Sequence, residues 1–294
     1  MLQEQDAALF APHNGVSVRR TGVSHRADEY DEYGFDLLFR MQREHFWYRG
    51  RHRFLLAALK MELASLDAPA STLSAIDLGA GCGGWIDYLL TRSVPRFGEL
   101  ALADSSLKAL EYAATVIGSQ LPRFQVELRD LGWKERWDIV FLLDVLEHIQ
   151  DHSSVVQQIC QCLRPNGLLF LTAPALDFFW SYNDELARHQ RRYSLQDMQS
   201  LAHQCQVTLT KVRYFMFILS PLLYFSRLHG LKPGTTSRAE IKEFLARTHR
   251  IPSKPVNALL KWIFALETPL GLWLPFPWGT SVLGIFQKPM QTPR

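Results

Sequence analysis

Several signatures are missing from this sequence, and each absence narrows what the chain does. It has no run of the roughly 18 apolar residues that a spanning helix needs. The densest apolar stretch, Phe215-Met216-Phe217-Ile218-Leu219-Ser220-Pro221-Leu222-Leu223-Tyr224-Phe225, is shorter and carries a proline. The first residues, Met1-Leu2-Gln3-Glu4-Gln5-Asp6, offer no basic and then apolar segment of the signal-peptide kind, so a cytoplasmic protein is expected. Charge is nearly balanced, with a net charge of +3, which gives no reason to expect a nucleic-acid partner. The four cysteines, Cys82, Cys160, Cys162 and Cys205, contain no C-x-x-C pair and read as reduced thiols rather than a zinc site. Repeats and low-complexity tracts are absent.

What is present is a core-forming composition, 47% hydrophobic and 21% charged over 294 residues. The chain is organised around Ser74-Ala75-Ile76-Asp77-Leu78-Gly79-Ala80-Gly81-Cys82-Gly83-Gly84-Trp85. A short apolar strand runs into a glycine-rich turn and then a helix start. Such a turn lets a ligand approach the main chain, and the helix N-terminus presents free N–H groups. Gly79, Gly81 and Gly84 satisfy the dinucleotide pattern G-x-G-x-x-G. The same stretch also fits Asp-x-Gly-x-Gly-x-Gly, with Asp77 at the strand end. A carboxylate there repels a pyrophosphate but suits a cationic ligand.

Strand-end residues follow in register. Strand Glu99–Asp104 ends in Asp104 and Ser105, 20 residues past Gly84, where a carboxylate accepts from ribose hydroxyls. A third strand, Phe124–Leu128, leads to Asp130 and Leu131. A fourth, Trp137–Leu143, is almost wholly apolar, as a central parallel strand buried on both faces must be. Leu143 stands at its end, followed by Asp144-Val145-Leu146-Glu147-His148. Leu163-Arg164-Pro165-Asn166-Gly167 turns into a fifth strand, Leu168–Ala173. Two more strands are expected at Gln206–Val212 and Thr280–Lys288. The expected fold is therefore α/β: a Rossmann-like, seven-stranded, mostly parallel sheet with its last strand antiparallel.

Asp77 through Gly83, Asp104, the Asp138–His148 block and Leu163–Gly167 together resemble the class I S-adenosylmethionine (SAM)-dependent methyltransferases. The block from Asp138 to Gly167 is similar to that of small-molecule methyltransferases, including those of ubiquinone biosynthesis. The resemblance implies SAM as cofactor. It implies that Asp77, Gly79, Ala80 and Gly81 form the cofactor turn and that Asp104 and Ser105 meet the ribose. Asp130 and Leu131 would lie near adenine, and Leu143 beside the methionyl part. In the resembling quinone O-methyltransferases, residues at the spacing of Asp144, Glu147 and His148 are associated with a divalent metal; whether one is needed here stays open. A NAD-dependent oxidoreductase using the same loop, and a SAM-fold binding module without turnover, are the alternatives.

Domain organisation is expected as a flexible tail over residues 1–30, a helical cap over 31–70 and the methyltransferase domain over 71–294. The cap carries Phe46-Trp47-Tyr48-Arg49-Gly50-Arg51, where Arg51, ahead of Arg49 and Arg53, is the candidate partner for a SAM carboxylate. His148, with Glu147, is the candidate base for a hydroxyl acceptor, the alternative being an ordinary helix start. His189, Arg191 and Arg192 overhang the same mouth and are candidates for an anionic group on the acceptor. Residues 215–278 form an insertion rich in Leu, Phe, Trp and Pro, with helical patterns near Ile218–Leu228, Ser237–Arg247 and Val256–Leu266. It reads as a lid over a lipid-like small-molecule acceptor, a surface for peripheral membrane contact, or core.

Overall fold

A computed structural model describes residues 2–23, 34–66, 68–92, 97–227 and 250–290. The chain opens with α1 (Leu2–Leu9), β1 (Phe10–His13) and β2 (Val16–Arg19), then α2 (Phe35–Glu44) and α3 (Phe46–Ser65). The alternating part follows: β3 (Ser74–Leu78), α4 (Gly84–Leu90), β4 (Glu99–Asp104), α5 (Leu107–Ile117), β5 (Arg123–Gln125), β6 (Trp137–Leu143), α6 (His152–Cys162) and β7 (Leu163–Pro174). The C-terminal part is α7 (Tyr182–Leu186), α8 (Leu195–Gln204), β8 (Thr208–Phe215), α9 (Ser220–Arg227), α10 (Lys254–Trp273) and β9 (Ser281–Gln287).

One sheet carries all these strands, in the order β1-β2-β5-β4-β3-β6-β7-β9-β8. From β2 to β7 neighbours run parallel; β9 is antiparallel to both β7 and β8. The apolar runs of β3, β6 and β7 are buried because helices cover both sheet faces. The sheet grows outward from β3 through β4 to β5, and the chain then returns to place β6 on the other side of β3. That switch point leaves a crevice at the carboxyl ends of the strands.

Seven of these strands match the expectation; the other two correct it. Residues 2–19 fall in the stretch expected as a tail, yet they form α1 and a hairpin that extends the sheet to nine strands. Asn14 and Gly15 both have positive φ, 49° and 77°, as a two-residue hairpin turn requires. Phe10 is buried against Phe124 and Trp133. Asp6 accepts from Trp133 Nε1 at 2.8 Å and pairs with Arg136 at 3.0 Å.

The cap helices are held from outside by the insertion. The Phe264 ring of α10 lies directly on Gly50 of α3, where a Cβ would stand 1.8 Å from Cδ1. Asn257 accepts from Phe46 N–H and donates to the Glu44 carbonyl, both at 2.9 Å, and so clasps the α2–α3 junction. His45 caps α3 by accepting from Trp47 N–H. The first and third helical patterns of the insertion are α9 and α10; the second, Ser237–Arg247, lies outside the described residues.

Candidate active site

Asp77, at the end of β3, is buried, and its Oδ1 finds no hydrogen-bond partner among the described residues. Burial pushes its carboxyl up to about 8; Arg51 works against that and Asp104 adds to it. The turn beyond Asp77 needs glycine. Gly79 and Gly81 have φ of 69° and 54°, and a Cβ on Gly79 would meet Val145 Cγ2 at 2.6 Å. Asp104 ties this loop to the end of β4: its Oδ2 accepts from Gly81 N–H at 2.8 Å, and its Oδ1 from Ser106 N–H at 2.9 Å. Gln42 of α2 accepts from Gly84 N–H, so the cap closes over the helix start.

A single cavity of about 770 Å³ joins these groups. Asp77, Gly79, Ala80 and Gly81 line its floor, with Asp104 and Ser105 at one side and Leu143 at the other. Arg51 reaches in from α3, but it forms an ion pair with Asp144 and contacts His52 Nε2 at 3.1 Å. Asp130 and Leu131 do not reach the cavity. Asp130 is held by Arg19 of the N-terminal hairpin at 3.1 Å, and Leu131 is fully buried in the core. The backbone instead brings Val126, Glu127, Leu128 and Arg129 to that wall.

At the far end, the loop after β7 folds over the loop after β6. Glu147 is buried with Oε2 unpartnered among the described residues, and burial followed by the charge of Asp144 holds its carboxyl well above the usual range. His148 beside it is pushed down to about 4 by burial and by His189, so it is neutral at physiological pH. The two imidazoles meet edge to face, with centroids 4.8 Å apart. His189 Nδ1 lies 2.9 Å from Asp184 Oδ1, and its Nε2 lies 4.0 Å from Glu147 Oε1. Asp184 also receives a two-pronged hydrogen bond from Arg192, at 2.9 and 3.0 Å. Burial works against its ionisation, but His189 and Arg192 win and hold the carboxyl well below its ordinary value. Arg192 is therefore committed to Asp184 and the Ala175 carbonyl, and Arg191 donates to the Gln150 carbonyl; neither is presented to an anionic acceptor as expected.

The model for a methyltransferase domain matches residues 39–213, more than half of the chain. The chain belongs to this methyltransferase family. Its cofactor is SAM, and the orphaned, buried Asp77 carboxylate fits a ligand whose end carries positive charge. Curated relatives include ubiquinone biosynthesis O-methyltransferases from Methylobacterium sp. (strain 4-46), 31% identical over 103 residues, and from Leptothrix cholodnii, 31% identical over 104 residues. The matches take in 35% and 32% of this chain and span about two-fifths of each relative, 41% and 42%. Solved structures share the fold. One from Galdieria sulphuraria, provisionally described as a sarcosine dimethylglycine methyltransferase, has a TM-score of 0.51 at 18% identity, over 80% of this chain and 85% of that one. One from Bacillus halodurans, provisionally described as a methyltransferase, has a TM-score of 0.50 at 17% identity, over 80% and 99%.

For this methyltransferase, the metal spacing implied by resemblance is not reproduced in space, because Asp144 faces Arg51. The ligand atoms that do converge, within 4.8 Å of one another, belong to Glu147, His148 and His189. The Asp184–His189 pair is the element that sequence reading missed. His189 stands among the candidates above, but for an anionic acceptor; the signal for Asp184 is the capping box at Ser181, which fixes it at the start of α7.

Proposed function

We propose that this methyltransferase moves a methyl group from SAM to a hydroxyl on a small hydrophobic or amphiphilic acceptor. The observation that carries this reading is one continuous cavity with a buried acidic side chain, Asp77, on its floor and an oriented imidazole pair in the wall supplied by the loops after β6 and β7. SAM, when bound, supplies a methyl that is already activated. Asp77 would hold its cationic end, the Gly79–Gly81 turn would admit it against the main chain, and Asp104 would accept from the ribose hydroxyls. The remaining tasks are to align the acceptor, exclude water and take its proton.

His189 is the best oriented group for that proton. With Nδ1–H donated to Asp184, the lone pair of the neutral ring stands on Nε2, toward the cavity end. Asp184, itself locked by Arg192, fixes the tautomer and steadies the ring once it is charged, the logic by which a carboxylate supports a histidine base. His148, whose conjugate acid is too strong for it to be an efficient base at neutral pH, packs against His189 and keeps water from it. Glu147, favoured in its protonated form, adds no repulsion to an acceptor oxygen. The curated relatives' O-methyltransferase names agree with a hydroxyl acceptor, and the largely apolar lining agrees with a hydrophobic one.

The test is transfer from methyl-labelled SAM into a cellular lipid extract. Label should appear in organic-soluble products as a base-stable methyl ether. Label confined to water-soluble amines or to protein would contradict the acceptor reading.

A further inference from the structure

The outward face of α10 is apolar from end to end. Between Pro255 and Trp278 every exposed position carries an apolar side chain. Val256, Leu259, Trp262, Leu266, Leu270 and Trp273 recur at intervals of three and four, which places them along one side of the helix. Trp262 is 60% exposed and Trp273 76%. Of the helix's polar groups, Asn257, Glu267 and Thr268 are buried, which leaves Lys254 and Lys261 as the charges toward solvent. An ordinary surface helix has the reverse arrangement.

α9 continues the patch. Glu267 accepts from the Phe217 and Ile218 N–H groups at 3.0 and 2.9 Å, and Trp278 Nε1 donates to Ser220 Oγ, so the two helices are fixed to each other. Leu222 and Phe225 are exposed on α9, and Tyr224 stacks on the exposed Phe178. The adjoining side of α9 supplies Leu223 and Ser226 to the cavity, where Arg250 and Pro252 join them. The apolar surface thus rims the cavity mouth.

Charge identifies the occupant. Among the described residues of 216–227 and 250–279, the one carboxylate is the buried Glu267, whereas Arg250 and Lys254 are exposed and Lys261 is half-buried. No helix among the described residues is long and apolar enough to cross a membrane. A second copy docked on this face would bring the same basic margin and no exposed carboxylate to pair with it. Trp and Leu on one face with basic residues at its margin is the composition of a helix lying in the plane of a bilayer surface.

We infer that the α9–α10 face docks on an anionic lipid bilayer, with α10 flat in the headgroup region and the cavity mouth turned toward the lipid. The docking rests on this surface alone. Its consequence, that an acceptor enters from the bilayer with its apolar part still in lipid, rests on the methyl-transfer reading above.

Flotation of the full chain tests it, without SAM, on phosphatidylcholine vesicles and on vesicles mixed with phosphatidylglycerol. The protein should float with the anionic vesicles at low salt, with its tryptophan emission shifted to the blue. Each basic residue near the surface strengthens such binding roughly fivefold, so added salt should weaken it. Trp262→Glu with Leu266→Glu should reduce binding at least about tenfold. These positions are exposed and away from the cavity, so the variant should keep its melting temperature and its SAM affinity by calorimetry. Protein that stays at the bottom with both vesicles overturns the inference, as does equal binding to both or a variant that floats like the parent. A dimer in sedimentation that the variant converts to monomer also overturns it, in favour of a second copy. Calorimetry on the same samples reports separately on the cofactor reading.

Discussion

Arg51 and Asp144, 93 residues apart in the chain, form an ion pair in the wall of the cavity, with Arg51 4% exposed. The pair ties the cap to the end of β6 and places a guanidinium beside the buried Asp77. Breaking such a pair strands a charge, whereas removing both partners does not. Arg51→Met should therefore cost roughly 3–5 kcal/mol of stability. Arg51→Met with Asp144→Asn should recover much of that loss. A cycle of denaturant unfolding measurements checks this; additive losses would mean the pair is not coupled.

Asp77 stores a cost that ligand binding relieves. Its folded value, about 8, lies above the unfolded value of 3.8. Between those pH values the folded state holds a proton that the unfolded state releases, so stability falls as pH rises from about 4 to about 8. Asp77→Asn removes the titration. The variant should melt higher than the parent, by a margin that widens from pH 5 to pH 8, while losing most of its SAM affinity. Thermal unfolding across pH, with calorimetry alongside, reads both; a margin that narrows with pH would refute the assignment.

Gly79 admits no side chain. Gly79→Ala puts a Cβ 2.6 Å from Val145 Cγ2 at a φ of 69°. The strained backbone alone costs roughly 1–2 kcal/mol. Adding Val145→Ala should relieve the collision and restore part of the stability, with the φ strain remaining. SAM affinity should drop at least about tenfold in the single variant, a loss of roughly 1.4 kcal/mol in binding. Unchanged affinity would show that the turn does not carry the cofactor.

The acceptor step separates two histidines. His189→Ala should slow methyl transfer by about 10²–10⁴ with SAM affinity nearly unchanged. Asp184→Asn should also slow transfer, because the ring loses its fixed tautomer. His148→Ala should cost less. Single-turnover kinetics across pH check the order; a larger loss at His148 would return the base to that residue.

Legibility in the sequence followed the length of the apolar signal. β3, β6 and β7 announce themselves because burial on both faces demands near-continuous apolar runs; Gly79–Gly81 follow β3, and Asp104 ends β4 beside it. The N-terminal hairpin was missed because its strands are four residues each; the Asn14-Gly15 turn was its one strong mark. That omission misplaced Asp130, whose carboxylate is taken by Arg19 from the same hairpin. The helical pattern expected to end near Leu266 runs to Trp273, through Pro269, with Thr268 Oγ1 donating to the Phe264 carbonyl. Asp184 and His189 meet through loop geometry that no periodicity encodes.

The most direct measurement is calorimetry of the full chain with SAM, S-adenosylhomocysteine and NAD, because the glycine turn satisfies the patterns of both cofactor types. The account predicts one site that binds SAM and S-adenosylhomocysteine, weakened in Asp77→Asn, and no heat with NAD. Binding of NAD with none of SAM would contradict it.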